Sequence, residues 1–123
     1  RAEAALAADG TVLAFRFDDL AEAGGVSIYP RSSILEGLQA VNFFGIAYGV
    51  NAYQARLRVA YLNKVPTGSY RGVGQPIACG AVEALMDQAA RRLGIDPAEM
   101  RRRNYRSAER GGARTPTGID AGG

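Results

Sequence analysis

An α+β fold is what this sequence predicts, and three features predict it. An Asp9-Gly10 turn between short apolar runs marks a hairpin, alternation from Tyr53 to Asn63 marks a further strand, and helically spaced apolar residues beyond Pro76 mark a helix with a shorter one after it. The chain has 123 residues, 47% apolar and 22% charged. That length and composition suit one ordinary globular core.

The hairpin joins Arg1 to Ala7 with Thr11 to Phe17 through Ala8-Asp9-Gly10, because Asp and Gly both tolerate the positive φ of a tight turn. Leu13, Phe15 and Phe17 fall on one face of its second arm. Residues 18 to 31 read as less regular, with a loop at Gly24-Gly25 and a short extended piece near Val26 and Ile28. Between Ser32 and Tyr48, Ile34, Leu35, Leu38 and Val41 have helical spacing, while Gly37, Gly45 and Gly49 interrupt it. Each glycine costs about 1 kcal/mol against alanine inside a helix, so a short helix followed by loop is expected.

From Tyr53 to Asn63, Tyr53, Ala55, Leu57, Val59 and Tyr61 alternate with Gln54, Arg56, Arg58 and Ala60, the pattern of a half-buried strand. Lys64 to Gln75 is turn-rich, with Pro66, Gly68, Gly72 and Gly74. Pro76 suits the first turn of a helix, where its missing N–H is no loss. Ala78, Val82, Leu85, Met86, Ala89 and Leu93 then share one helical face. Gly94 supplies a left-handed C-cap, and Asp96-Pro97-Ala98-Glu99 supplies an N-cap, a first-turn proline and a reciprocal glutamate for the next helix, which ends near Asn104. Residues 106 to 123 lack periodicity and read as a linker or unstructured tail.

Several chemistries are excluded within this chain. Cys79 is the only cysteine and there is no histidine, which rules out an intrachain disulfide, a Cys/His zinc site and a Ser-His-Asp triad. The net charge of +3 comes largely from Arg101, Arg102, Arg103, Arg106 and Arg110. Cations at the negative end of a helix dipole explain that cluster better than a nucleic-acid patch does. No stretch approaches the roughly 18 apolar residues of a membrane span, and a cytoplasmic setting is expected.

The chemically suggestive element is Gly68-Ser69-Tyr70-Arg71-Gly72-Val73-Gly74-Gln75-Pro76, between a strand and a helix N-terminus. Such a junction offers unpaired N–H groups and the positive end of a dipole to an anionic or oxygen-bearing ligand. It lacks the Gly-Lys-Ser/Thr ending of a P-loop and the third glycine of a dinucleotide fingerprint.

The run from Asn63 to Pro76, the helix with Glu83-Ala84-Leu85-Met86-Asp87, and Leu93-Gly94-Ile95-Asp96-Pro97 to Arg103-Asn104 together resemble the molybdenum-cofactor-binding large subunit of xanthine dehydrogenase and aldehyde oxidase type hydroxylases. The likeness extends over most of residues 1 to 105, read as part of a larger cofactor-binding domain. It implies an oxidoreductase subunit that oxidises an aromatic heterocycle or aldehyde with water as oxygen source. Its cofactor would be molybdenum held by molybdopterin, with 2Fe-2S clusters and FAD on partner subunits or domains. The resemblance places Tyr70, Arg71 and Gly72 beside the cofactor and points Val73 at the small-molecule substrate. Gly72 stands where the similar carbon monoxide dehydrogenases have cysteine, and Val73 where mammalian-type xanthine oxidases have phenylalanine, so neither activity is favoured. No catalytic residue and no protein ligand to metal is expected here: Glu83 and Glu99 read as helix surface and helix capping. This chain alone is expected to be a catalytically silent piece of the subunit. The competing reading is a non-catalytic protein-interaction module with a basic helix end.

Overall fold

The computed structural model describes residues 1–30, 32–107, 114–115 and 117–119. Its elements are β1 (Ala2–Leu6), β2 (Val12–Gly24), α1 (Leu35–Phe43), β3 (Ala52–Tyr61), α2 (Gln75–Leu93) and α3 (Pro97–Asn104). The strands form one mixed sheet in the order β1-β2-β3, with β1 antiparallel and β3 parallel to β2. The expected α+β class holds, with the hairpin, the later strand and the helices in the predicted order.

β2 differs from expectation at both ends. A register shift pairs Ala5 with Ala14 but Leu6 with Val12, leaving Leu13 as the extra residue of a bulge. The bulge turns Val12 inward beside Phe15 and Phe17, and Leu13 faces outward at 50% exposure. Beyond Phe17 the strand continues to Gly24, where the sequence reading expects irregular chain. The inner positions there are Asp19, Ala21 and Ala23, which carry no large apolar side chain and so leave no alternating signal. Close approach of α1 explains the small residues: a Cβ on Gly37 would lie 2.6 Å from Leu57 Cδ1 and 3.0 Å from Ala21 Cβ. Gly37 thus costs helix propensity and permits helix-to-sheet contact.

α1 packs on β2 and β3, and α2 packs on α1, β1 and α3. The core between them holds Val12, Phe15 and Phe17 from β2, Val41 and Phe44 around α1, Ala78, Val82, Met86 and Ala89 from α2, and Met100 from α3. Phe44 is its centre, stacked on Phe17 at 4.4 Å and set edge-on to Phe15 at 5.5 Å. The apolar face predicted for α2 is the buried one, although its last member, Leu93, is 37% exposed. β3 is an edge strand on which Tyr53, Leu57 and Val59 are half-buried, while Ala55 and Tyr61, expected on the same side, are exposed.

α2 ends as expected on Gly94 in the left-handed conformation, and Asp96 caps α3 by accepting from the Glu99 amide at 2.9 Å. The predicted reciprocal bond is replaced: the Glu99 carboxylate accepts from Arg102 at 3.1 Å and Arg103 at 2.8 Å. These two guanidiniums hold its carboxyl below the usual range, Arg103 contributing most.

The other cations of the cluster are engaged within the chain. Arg101 pairs with Glu83 at 2.7 Å and Asp87 at 2.8 Å. Arg106 donates to the carbonyls of Ile46, Tyr48 and Arg114. Arg110 lies outside the described residues, as does most of the stretch read as a tail. Among the described residues no helix is long and apolar enough to cross a membrane.

Candidate functional site

The loop between β3 and α2, residues 62–74, leaves the sheet at the carboxyl ends of the parallel pair β2 and β3, the usual location of ligand sites in such sheets. Its first half is tied down. Leu62 N donates to Gly24 O at 3.0 Å, Gly25 N to Lys64 O at 3.1 Å, and Thr67 Oγ1 to Glu22 O at 2.9 Å. Ser33, buried before α1, donates through Oγ to Thr67 O at 2.7 Å and accepts from Ile28 N at 3.1 Å. Sequence reading assigns Ser33 and Thr67 no role, because a serine in irregular chain carries no periodic signal.

The second half is tied by Gly74. Built as alanine, it would drive its Cβ into the Glu36 carbonyl oxygen and to 2.7 Å from Ala40 N, both backbone atoms of α1. Its φ of 75° also lies in the left-handed region. This glycine serves contact between backbones of the same chain, whereas the sequence suggests ligand approach.

Between these anchors stands a short crest, Ser69 to Val73. Val73 N donates to Tyr70 O at 3.0 Å and Gln75 N to Gly72 O at 2.9 Å, closing two successive turns. Gly72, Val73 and Gly74 have φ of 91°, 30° and 75°, three consecutive residues of left-handed sense. For a β-branched residue that is a genuine outlier, the kind of strain that persists where surroundings over-determine it. Tyr70 is 86% exposed, Arg71 is exposed, and Gly72 and Val73 are partly covered. The four consecutive residues singled out from the sequence thus form one crest anchored on either side.

Among the described residues, no group of three or more His, Cys, Asp or Glu side chains could hold a metal ion. What the crest offers is different: an exposed guanidinium, a glycine-rich backbone and the N-terminus of the 19-residue helix α2. That donor set suits the anionic and oxygen-bearing periphery of a cofactor.

Comparison with known proteins identifies the family. The molybdopterin cofactor-binding domain family matches residues 1–105. The chain is 37% identical over 110 residues to an aldehyde oxidoreductase of Megalodesulfovibrio gigas, covering 89% of this chain and 12% of that protein. It is 36% identical, also over 110 residues, to a putative xanthine dehydrogenase molybdenum-binding subunit of Escherichia coli, covering 89% and 14%. The crystal structure of quinoline 2-oxidoreductase from Pseudomonas putida superposes with a TM-score of 0.80 and 31% identity over 97% of this chain and 15% of that one. The chain thus spans only about an eighth of the length of the curated relatives it matches. On sequence and fold together, it belongs to the molybdopterin cofactor-binding domain of the xanthine dehydrogenase and aldehyde oxidoreductase family.

Proposed function

We propose that this chain supplies one wall of the molybdenum site in the large subunit of a molybdenum hydroxylase. The observation that carries the reading is the pinned crest at residues 70–73, which presents backbone and a guanidinium at a helix N-terminus. The cofactor, when bound, supplies the oxidation of an aromatic heterocycle or aldehyde with water as oxygen source. This chain's part is to bind and orient: the Tyr70, Arg71 and Gly72 backbone lies against the cofactor, the Arg71 cation offsets its negative charge, and Val73 borders the substrate space. Iron-sulfur clusters and FAD on partner subunits or domains would take the electrons onward. The Escherichia coli relative is described as a molybdenum-binding subunit, which supports an enzyme built from several subunits.

The test uses the enzyme assembled with a complete large subunit. Val73→Phe is expected to change the ratio of kcat/KM for a bulky heterocycle and a small aldehyde by about tenfold, leaving molybdenum content intact. Gly72→Val is expected to lower molybdenum content, since a β-branched side chain obstructs close approach. A selectivity ratio unchanged within about twofold, equivalent to about 0.4 kcal/mol, would remove Val73 from the substrate path.

A further inference from the structure

Two separate ties hold the crest, and each reaches α1 or the chain leading into it. On the Tyr70 side, Ser33, two residues before α1, donates through Oγ to Thr67 O at 2.7 Å. On the Val73 side, Gly74 packs directly on the Glu36 carbonyl and the Ala40 amide. α1 is itself seated on the sheet, because Gly37 admits Leu57 and Ala21, and the Tyr53 hydroxyl donates to Val41 O at 2.6 Å. The crest therefore takes its position from the sheet by way of one helix.

The Ser33 tie is made by a hydroxyl that the chain has buried and fully employed. Ser33 is 5% exposed, its Oγ also accepts from Ile28 N at 3.1 Å, and its own amide donates to Ser27 Oγ at 3.2 Å. Thr67 is held from a second direction, where its Oγ1 donates to Glu22 O near the end of β2 at 2.9 Å. Removing either hydroxyl strands a backbone group that it now satisfies, which costs more than the bond contributes. Only Gly68 and Ser69 separate Thr67 from Tyr70, so a shift of Thr67 passes to the near end of the crest. The far end is fixed independently by Gly74.

We propose that Ser33 and Thr67 are positioning residues for the cofactor-facing backbone of Tyr70 to Gly72, and that their influence stops short of Val73. The inference rests on the reading of the crest as a wall of the molybdenum site. Neither residue touches the cofactor: Ser33 acts through the Thr67 carbonyl, and Thr67 through the chain that follows it.

The test uses the enzyme assembled with a complete large subunit, carrying Ser33→Ala, Thr67→Val or Thr67→Ser. Ser33→Ala is expected to alter the molybdenum electron paramagnetic resonance signal of the partly reduced enzyme while molybdenum content stays intact. Its kcat should fall about tenfold with KM held within about twofold, the pattern of misplaced reacting groups. The selectivity ratio between bulky and small substrates, which reports on Val73, should stay within about twofold of the parent. Thr67→Val keeps the volume and deletes the bond to Glu22, so it should change the same signal and decides the matter if Ser33→Ala fails to assemble. Thr67→Ser, which returns the hydroxyl, is expected to restore the parent signal. Parent-like signals in both Ser33→Ala and Thr67→Val, or equal changes in Thr67→Val and Thr67→Ser, would overturn the positioning role. So would a selectivity ratio that Ser33→Ala moves as far as Val73→Phe does. If Gly72→Val still lowers molybdenum content in those cases, the crest reading stands without the positioning pair; if it does not, both fall.

Discussion

The Tyr48 hydroxyl donates a 2.6 Å hydrogen bond to Glu83 Oε1 across 35 residues of sequence, and Arg101 holds the other oxygen of the same carboxylate at 2.7 Å. Tyr48 is fully buried and stacks on Tyr105 at 5.8 Å. Glu83 therefore joins the turn after α1, the middle of α2 and the last turn of α3, instead of standing free on a helix surface.

Removing that carboxylate leaves a buried phenol and a half-buried guanidinium short of partners. Glu83→Ala is expected to destabilise the chain by about 2 kcal/mol, since stranded donors cost more than a bond contributes. Urea melts supply the measurement. A loss below about 0.5 kcal/mol, the range of an ordinary surface substitution, would show that the junction is held by packing alone.

Alkaline stability follows from the same burial. Burial pushes the Tyr48 phenol well above the ordinary tyrosine range, with further elevation from the Glu83 bond, and burial does likewise for Tyr53, whose hydroxyl donates to Val41 O at 2.6 Å. A raised folded-state pKa favours the protonated folded form, so this stability is complete below the unfolded tyrosine pKa of about 10 and declines as pH rises above it. Each phenol adds up to about 1.4 kcal/mol of loss per pH unit. Denaturant midpoints measured between about pH 9 and 11 should fall steeply, and Tyr53→Phe should flatten the slope by one tyrosine's share. A slope unaffected by that variant would mean the phenol ionises as readily folded as unfolded.

Asn104 ties α3 to the hairpin. It is 1% exposed, accepts from Val12 N at 2.8 Å and donates to the carbonyls of Gly10 and Met100 at 2.9 Å each. Asn104→Asp keeps the acceptor and sets a carboxylate against two carbonyl oxygens, so its folded-state pKa must rise. The variant should lose about 3 kcal/mol at neutral pH, and the gap to the parent should narrow as pH falls towards about 4, where the acid becomes a donor. Stability curves for both proteins against pH decide this, and a pH-independent gap would contradict the assigned amide orientation.

The parts of this fold legible in the sequence are those with large side chains at regular spacing or with local cap chemistry. Ala78, Val82, Met86 and Ala89 declare α2, while Gly94 and Asp96 declare the break after it. The second half of β2 is illegible because Asp19, Ala21 and Ala23 face a helix that Gly37 brings close, so depth there is filled by backbone and not by apolar bulk. Phe44 gives no periodic sign of centring the core, since it follows the end of α1. At the crest, Tyr70 to Val73 could be singled out by composition and resemblance. That Gly74 packs on α1 while Gly72 does not depends on a contact between loop and helix that no local pattern encodes.

That contrast supplies a prediction for the chain itself. Gly74→Ala places a side chain against the Glu36 carbonyl and Ala40 amide, neither of which can move without shifting α1, and also forces a left-handed alanine. A loss of at least about 3 kcal/mol is expected, from overpacking and backbone strain together. Gly72→Ala meets only the Pro76 ring at 3.1 Å, so it should cost about 1 to 2 kcal/mol, chiefly for its φ. Val73→Asn moves in the opposite direction: asparagine tolerates φ of 30° better than valine does, and the chain should gain up to about 1 kcal/mol. Thermal and urea melts of the three variants give the ranking. Equal losses for Gly74→Ala and Gly72→Ala would mean the crest is not anchored on α1, and a destabilised Val73→Asn would mean that valine's packing outweighs the strain in its backbone.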